Sequence, residues 1–214
     1  MSPCSTWLSD DCIGAILTIL QEVKGESLDT FVATNTQFYS LLVPKTKPVS
    51  VANFDNIRKW YNFTAKVGKN GGPGRPFTKD LNNLQMCIPI HKPGHWILAW
   101  IDFRLKTIEI WDSLQHERKD VLTNLWTFVK KLFTENGQEA PKVPEWKSID
   151  NKTKTPLQPN GFDCGVYVIW FVYCKLFRHG VITQLPKKDK TTGLNMRQLF
   201  AKWLCDGKMT NIVV

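Results

Sequence analysis

Four side chains in this chain carry polar groups that acyl-transfer chemistry requires: His95, Asp112, Gln158 and Cys164. Gly94-His95-Trp96 opens one apolar run, Asp112-Ser113 closes the next, and Gln158-Pro159-Asn160-Gly161-Phe162-Asp163-Cys164-Gly165 leads into a third. An imidazole beside a carboxylate is held in one orientation and tautomer, ready to take a proton from a nucleophile. A cysteine at a helix N-terminus meets unpaired N–H groups and the positive end of the helix dipole, both of which favour its thiolate. The Gln158 amide and the Cys164 backbone N–H are the donor types that stabilise a developing oxyanion. Gly161 and Gly165 let a substrate backbone approach closely. Taken singly, each residue has a plainer reading. A cysteine before an apolar run is usually a small core residue, a histidine beside tryptophan is usually a satisfied structural one, and Asp112 can simply end a strand or cap a helix. The spacing joins them. His95 and Asp112 are 17 residues apart with Arg104-Leu105-Lys106 as a turn near the midpoint, so a hairpin brings the start of one strand beside the end of the next.

The elements that must position these groups are legible from periodicity. Residues 84–90, 96–103 and 107–111 read as strands, and the middle one, apolar on both alternating faces, reads as a central strand covered on both sides. Ser9 with Asp10 and Asp11 marks a helix start, and Ile13, Ile16, Leu17 and Leu20 repeat at helical spacing. Residues 117–136 form another amphipathic helix, stopped by Gly137, and Met196, Leu199, Phe200, Trp203 and Leu204 a last one ending near Gly207. Helices are also expected over 28–42 and 54–63, and a short strand over 145–149. The stretch after Asp163 fits either a strand, from its Val-Tyr-Val-Ile, or a buried helix, from its length. Residues 66–76 are too rich in Gly and Pro for regular structure and read as a mobile loop. The expectation is one α+β domain over 1–214.

With 214 residues, 43% of them hydrophobic and 22% charged, the chain has globular composition, which excludes a disordered or fibrous protein. Its apolar runs are too short to span a bilayer, and the start lacks the basic flank of a signal peptide. The six cysteines at 4, 12, 87, 164, 174 and 205 show no paired spacing and are expected to be reduced thiols. An intracellular protein of nucleus or cytoplasm follows, with no membrane partner. Net charge is +9, concentrated where residues 51–100 hold seven cations to two anions and 151–214 hold ten to three. That excess suits an acidic protein surface or nucleic acid, or simply a solvated basic surface. Cys87, His91 and His95 recur at intervals of four, but Pro89 and Pro93 interrupt any helix there and no fourth ligand is evident. No metal or cofactor is expected.

The order His-Trp, then Asp-Ser after a hairpin, then Gln-x-x-Gly-x-Asp-Cys-Gly resembles the ubiquitin-like-protein proteases, the SUMO/sentrin-specific cysteine peptidases related to the adenovirus endopeptidase. Gln158 precedes Cys164 by six residues, as that pattern requires, and Trp7-Leu8-Ser9-Asp10 is similar to the family's Trp-Leu-Asn-Asp opening. The resemblance covers about residues 7–205. It implies a papain-like superfamily fold in the ubiquitin-like-protease permutation, with a central mixed sheet flanked by helices and the nucleophile at a helix N-terminus. It implies catalytic roles for His95 as base, Asp112 as orienter, Cys164 as nucleophile and Gln158 as oxyanion donor. Trp96 and Trp7 match positions whose indoles sandwich the Gly-Gly tail of a modifier, with Gly165 beside them. The implied activity is cleavage after the C-terminal Gly-Gly of a ubiquitin-like modifier, SUMO above all, by a monomeric catalytic domain that acts on precursors or conjugates. Pro159 and Phe162, within the nucleophile segment, depart from the smaller residues common there.

Other classes fit less well. Chymotrypsin-like viral cysteine proteases share the order His, Asp, Cys but are all-β, against the helices at 10–22 and 117–136. Papain itself places Cys first, so chain order excludes it. A viral-type endopeptidase acting on other proteins and a silent basic modifier- or nucleic-acid-binding module stay as alternatives. Loss of a catalytic position would mark the latter, and all four are filled.

Overall fold

The computed structural model describes residues 6–25, 31–44, 51–58, 81–178 and 192–210. The element order is α1 (Asp10–Gly25), β1 (Phe31–Ala33), α2 (Phe38–Leu42), α3 (Val51–Arg58), β2 (Gln85–Lys92), β3 (His95–Asp102), β4 (Thr107–Trp111), α4 (Lys119–Glu135), β5 (Lys147–Asp150), α5 (Cys164–Phe177) and α6 (Thr192–Asp206), with a 3-10 turn at Leu81–Asn83. The sheet runs β1-β2-β3-β4-β5, with antiparallel pairing in the middle and parallel pairing at both edges. This is an α+β fold with a mixed five-stranded sheet flanked by helices.

Every residue of β3 is buried, and its alternation divides the core. Trp96, Leu98 and Trp100 face α1, α5 and α6. Ile97, Ala99 and Ile101 face α2, α3 and α4. The amphipathic helices supply the covers. Ile13, Ile16, Leu17 and Leu20 of α1 are buried, and the Ser9 hydroxyl accepts the Cys12 N–H at 3.3 Å to cap its start. In α4, Val121, Leu122, Leu125, Phe128, Val129 and Leu132 are buried, and Gly137 at φ +71° ends the helix, a conformation that suits glycine.

The stretch after Asp163 is a helix. Nearly all of α5, from Cys164 through Cys174, is buried, because it lies between the sheet and the pair α1 and α6. A helix covered on all sides has no polar face and therefore no period to read.

The expected helix over 28–42 is corrected. Phe31–Ala33 is a strand parallel to β2, and helix begins only at Phe38. Thr34 donates its N–H to the Cys87 carbonyl at 2.8 Å, and the Asn35 side chain accepts the Gln37 N–H at 3.1 Å. β-Branched Val32 and Thr34 favour strand, and Asn35 turns the chain instead of continuing a helix. Helix α3 starts at Val51, earlier than expected, with Phe54 and Ile57 in the core. The expected continuation to residue 63 and the Gly-rich stretch 66–76 lie outside the described residues. No helix among the described residues is long and apolar enough to cross a membrane.

Candidate active site

The β2–β3 turn is Pro93-Gly94, with Gly94 at φ +71°, and His95 is the first residue of β3. The β3–β4 hairpin pairs Leu98 with Trp111, so Asp112, one residue past β4, comes to the same end of the sheet. The imidazole Nε2 lies 2.6 Å from Asp112 Oδ1, with both side chains buried. The same Oδ1 accepts the Leu114 N–H at 2.8 Å. Oδ2 accepts Arg118 Nε at 2.8 Å, with His116 Nδ1 at 3.8 Å. Helix α5 begins at Cys164, whose thiol and the His95 imidazole each shift the other's pKa.

The electrostatics follow from this contact set. Burial alone would lower the His95 pKa, but hydrogen bonds and charge from Asp112 and Cys164 outweigh it and raise it to about 9. Burial alone would raise the Cys164 thiol, but His95 and the backbone N–H groups of Trp96 and Gly165 hold it below the usual thiol range. Asp112 is likewise held below the ordinary carboxylate range: burial opposes this, and His95, the Leu114 N–H and Arg118 prevail. A thiolate–imidazolium pair oriented by a carboxylate is the favoured state. The other buried cysteines differ: burial pushes Cys174 up to about 12 and Cys87 well above the thiol range. Both are inert core residues. Cys12, Cys87, Cys164, Cys174 and Cys205 are all free thiols, and among the described residues no group of three His, Cys, Asp or Glu is placed to hold a metal.

Gln158 is tied to the residue after Asp112. Its N–H donates to the Ser113 carbonyl at 2.9 Å, and its Oε1 accepts the Ser113 hydroxyl at 2.5 Å. Its Nε2 donates to the Asn160 carbonyl at 2.6 Å, and an amide nitrogen carries a second hydrogen for another acceptor. The rest of the loop is cross-braced. Asn160 Oδ1 accepts the N–H groups of Phe162 and Asp163, and its Nδ2 donates to Asp163 Oδ2 at 2.7 Å. Arg197, from α6, donates to Asp163 Oδ1 at 2.7 Å and to the Phe162 carbonyl at 3.1 Å. Its guanidinium also lies over the Phe162 ring, so this bulky residue has a structural partner.

Trp96 and Trp7 differ in exposure. Trp96 is buried, 6% exposed, with the His91 ring 4.7 Å away. Trp7 is 51% exposed. Its Nε1 donates to the Gly161 carbonyl at 3.0 Å, and its ring edge passes 3.2 Å from where a Cβ on Gly94 would stand. It therefore spans from the His95 turn to the Cys164 loop. Gly165 has a packing reason to be glycine: a Cβ there would come 3.0 Å from Ile13 and 3.2 Å from Leu8. It makes room for Ile13 of α1 and for Leu8. Arg118 and Arg197 escaped sequence reading, since neither belongs to a local pattern and each reaches its partner only through the fold.

Residues 6–196 match the Ulp1 protease family, C-terminal catalytic domain. The chain is 30% identical over 167 residues to a sentrin-specific protease of Caenorhabditis elegans, covering 77% of this chain and 21% of that protein. It is 24% identical over 169 residues to ubiquitin-like-specific protease 1A of Arabidopsis thaliana, covering 78% and 31%. It thus spans less than a third of the length of either relative. In structure it is similar to the Ulp1-like SUMO protease catalytic domain of Chaetomium thermophilum, at TM-score 0.69 and 23% identity, over 98% of this chain and 76% of that one. It is also similar to the yeast Ulp1 protease domain solved in complex with Smt3, the yeast ortholog of SUMO, at TM-score 0.66 and 23% identity, over 96% and 79%. By the match of its sequence from Thr6 to Met196, this chain belongs to the Ulp1 family of cysteine proteases.

Proposed function

We propose that the chain is a thiol peptidase and isopeptidase that cleaves after the C-terminal Gly-Gly of a ubiquitin-like modifier of SUMO type. The observation that carries the reading is His95, its Nε2 2.6 Å from buried Asp112, with Cys164 at the start of α5 close enough that thiol and imidazole shift each other's pKa. The Cys164 sulfur attacks the glycine carbonyl carbon, and the carbonyl oxygen becomes an oxyanion facing the second Gln158 Nε2 hydrogen and the Cys164 N–H. The imidazolium of His95 gives its proton to the departing amine as the C–N bond breaks, leaving a thioester on Cys164. His95 then takes a proton from water, which attacks the thioester and returns the free thiol. Precursor tails and lysine conjugates present the same bond to this machinery. The relative solved with Smt3 supports a SUMO-type modifier as partner.

The proposal places the whole chain in one monomeric catalytic domain, acting in nucleus or cytoplasm where its free thiols stay reduced. The deciding experiment is reaction with a panel of modifiers bearing a C-terminal electrophile. SUMO-type probes should form a covalent adduct that Cys164→Ser abolishes. Adduct with another modifier alone would reassign the substrate, and no adduct with any, alongside cleavage of an unrelated protein, would make this a general endopeptidase.

A further inference from the structure

Arg118 stands just before α4 and is tied down at three points. Its Nε donates to Asp112 Oδ2 at 2.8 Å, its backbone N–H donates to Asp150 Oδ2 on β5 at 2.9 Å, and its outer nitrogen lies 3.3 Å from His116 Nδ1. The carboxylate it holds is 1% exposed, and the other oxygen of that carboxylate serves His95 and the Leu114 N–H. We propose that Arg118 is a positioning residue of the active site: by holding the second oxygen of Asp112, it fixes the carboxylate plane against His95 and sets the pH at which His95 releases its proton. The proposal rests on reading His95, Asp112 and Cys164 as the catalytic set.

Two physical effects act, of opposite sign on the His95 proton, and the electrostatic one is expected to prevail. A carboxylate rotates easily about the bond to Cβ, and a second anchor on Oδ2 removes that freedom, so the Oδ1 lone pair stays aimed at Nε2. The guanidinium is also permanently positive. Placed on the far side of Asp112 in a buried site, it draws on the same negative charge that stabilises the imidazolium and repels the imidazolium itself. Both electrostatic contributions favour proton loss from His95, opposing the strong upward pull of Asp112 and Cys164. The charged and titratable groups around the pair are Cys164 from α5, His116 and Arg118 from the segment after β4, Asp150 from β5, and Asp120 of α4, which feels the Arg118 charge. Among them Arg118 alone carries a permanent positive charge in direct contact with Asp112. Gln115, whose side chain donates to the Thr155 carbonyl at 2.7 Å, braces the same segment and leaves the ion pair as its charged anchor.

The test compares R118A, R118Q and R118K by two readouts that need no modifier: NMR titration of the His95 ring, and the pH dependence of Cys164 alkylation by iodoacetamide. In R118A and R118Q, the His95 midpoint and the basic limb of alkylation should move up by about half a unit to one unit. In R118K, which keeps the charge, both should stay near the unmutated values. On a short peptide amide ending in Gly-Gly, R118A should lose about tenfold in kcat with KM changed less than threefold, and R118Q, which keeps a donor, should lose less. A His95 midpoint that does not move, or moves down, in folded R118A or R118Q overturns the proposal, even if turnover falls. If R118A does not fold, R118Q against R118K makes the same comparison. If the unmutated protein processes no modifier while R118A and R118Q still show the shift, the modifier reading is refuted and Arg118 keeps its role.

Discussion

Gly165 lies against Ile13: a Cβ on the glycine would stand 3.0 Å from the Ile13 Cδ1 atom. The residue after Cys164 is thus tightly packed against α1. Gly165→Ala should force α1 and Leu8 outward, costing about 1–3 kcal/mol in overpacking. Better helix propensity offsets up to about 1 kcal/mol of that. A lowered melting temperature is expected in thermal unfolding. An unchanged or raised one would show that α1 yields without cost.

Cys164 should be the fast thiol of the protein. Its thiolate is held low by His95 and two backbone N–H groups, while Cys87 and Cys174 are held high by burial. At pH 6, limiting iodoacetamide should label Cys164 alone, as read by peptide mass spectrometry. Cys164→Ser should abolish turnover, whereas Cys87→Ser and Cys174→Ser should retain it.

His95 titrates at about 9 in the fold against 6.5 for an unperturbed imidazole. Because the folded value is raised, the stabilising contribution of the imidazolium is complete below about pH 6.5 and is lost as pH rises through about 9. Turnover should fall as pH passes through about 9, where His95, in the proposed role, loses the proton it gives the leaving amine. In the unmutated protein the melting temperature should decline between about pH 6.5 and 9, and the kcat/KM profile only near pH 9. A melting temperature that climbs from pH 7 to 9 would contradict the assignment.

Gln158 and Ser113 should act unequally on one step. Gln158→Ala should slow kcat by about 10- to 1,000-fold with ground-state affinity little changed. Ser113→Ala removes the 2.5 Å hydrogen bond that orients the amide while keeping the donor, so a smaller loss of kcat is expected. Normal kcat with weakened binding in Gln158→Ala would remove Gln158 from the oxyanion role.

Trp7 bridges Gly161 and the space over Gly94, and on the proposed function it would narrow the passage of a substrate tail. Tails ending in Ala-Ala should therefore be cleaved about 10- to 200-fold less efficiently than Gly-Gly tails, and Trp7→Ala should relax that preference. Raised ionic strength should weaken binding of a folded acidic modifier yet leave short peptides nearly unaffected. Efficient cleavage of Ala-Ala tails by the unmutated enzyme would exclude a glycine-only passage.

The residues themselves determined what depends on neighbours in sequence. The burial stripes of α1 and α4, the all-apolar β3, the hairpin turn near residue 105 and the stops at Gly137 and Gly207 follow from spacing within a turn or two, where side-chain direction is set by the backbone period. The order and spacing of His95, Asp112, Gln158 and Cys164 were legible for the same reason, since one hairpin and one helix start suffice to bring them to one end of the sheet. Tertiary structure decided the rest. Phe31–Ala33 became a strand because β2 offered it a parallel edge, and α5 became a helix because α1, α6 and the sheet enclose its apolar surface. Arg197 reaches Asp163 across 34 positions, and Gly165 is small because Ile13, 152 positions earlier, needs the space. Such contacts leave no period in the sequence, because their partners are selected by packing across the core and not by the local geometry of the chain.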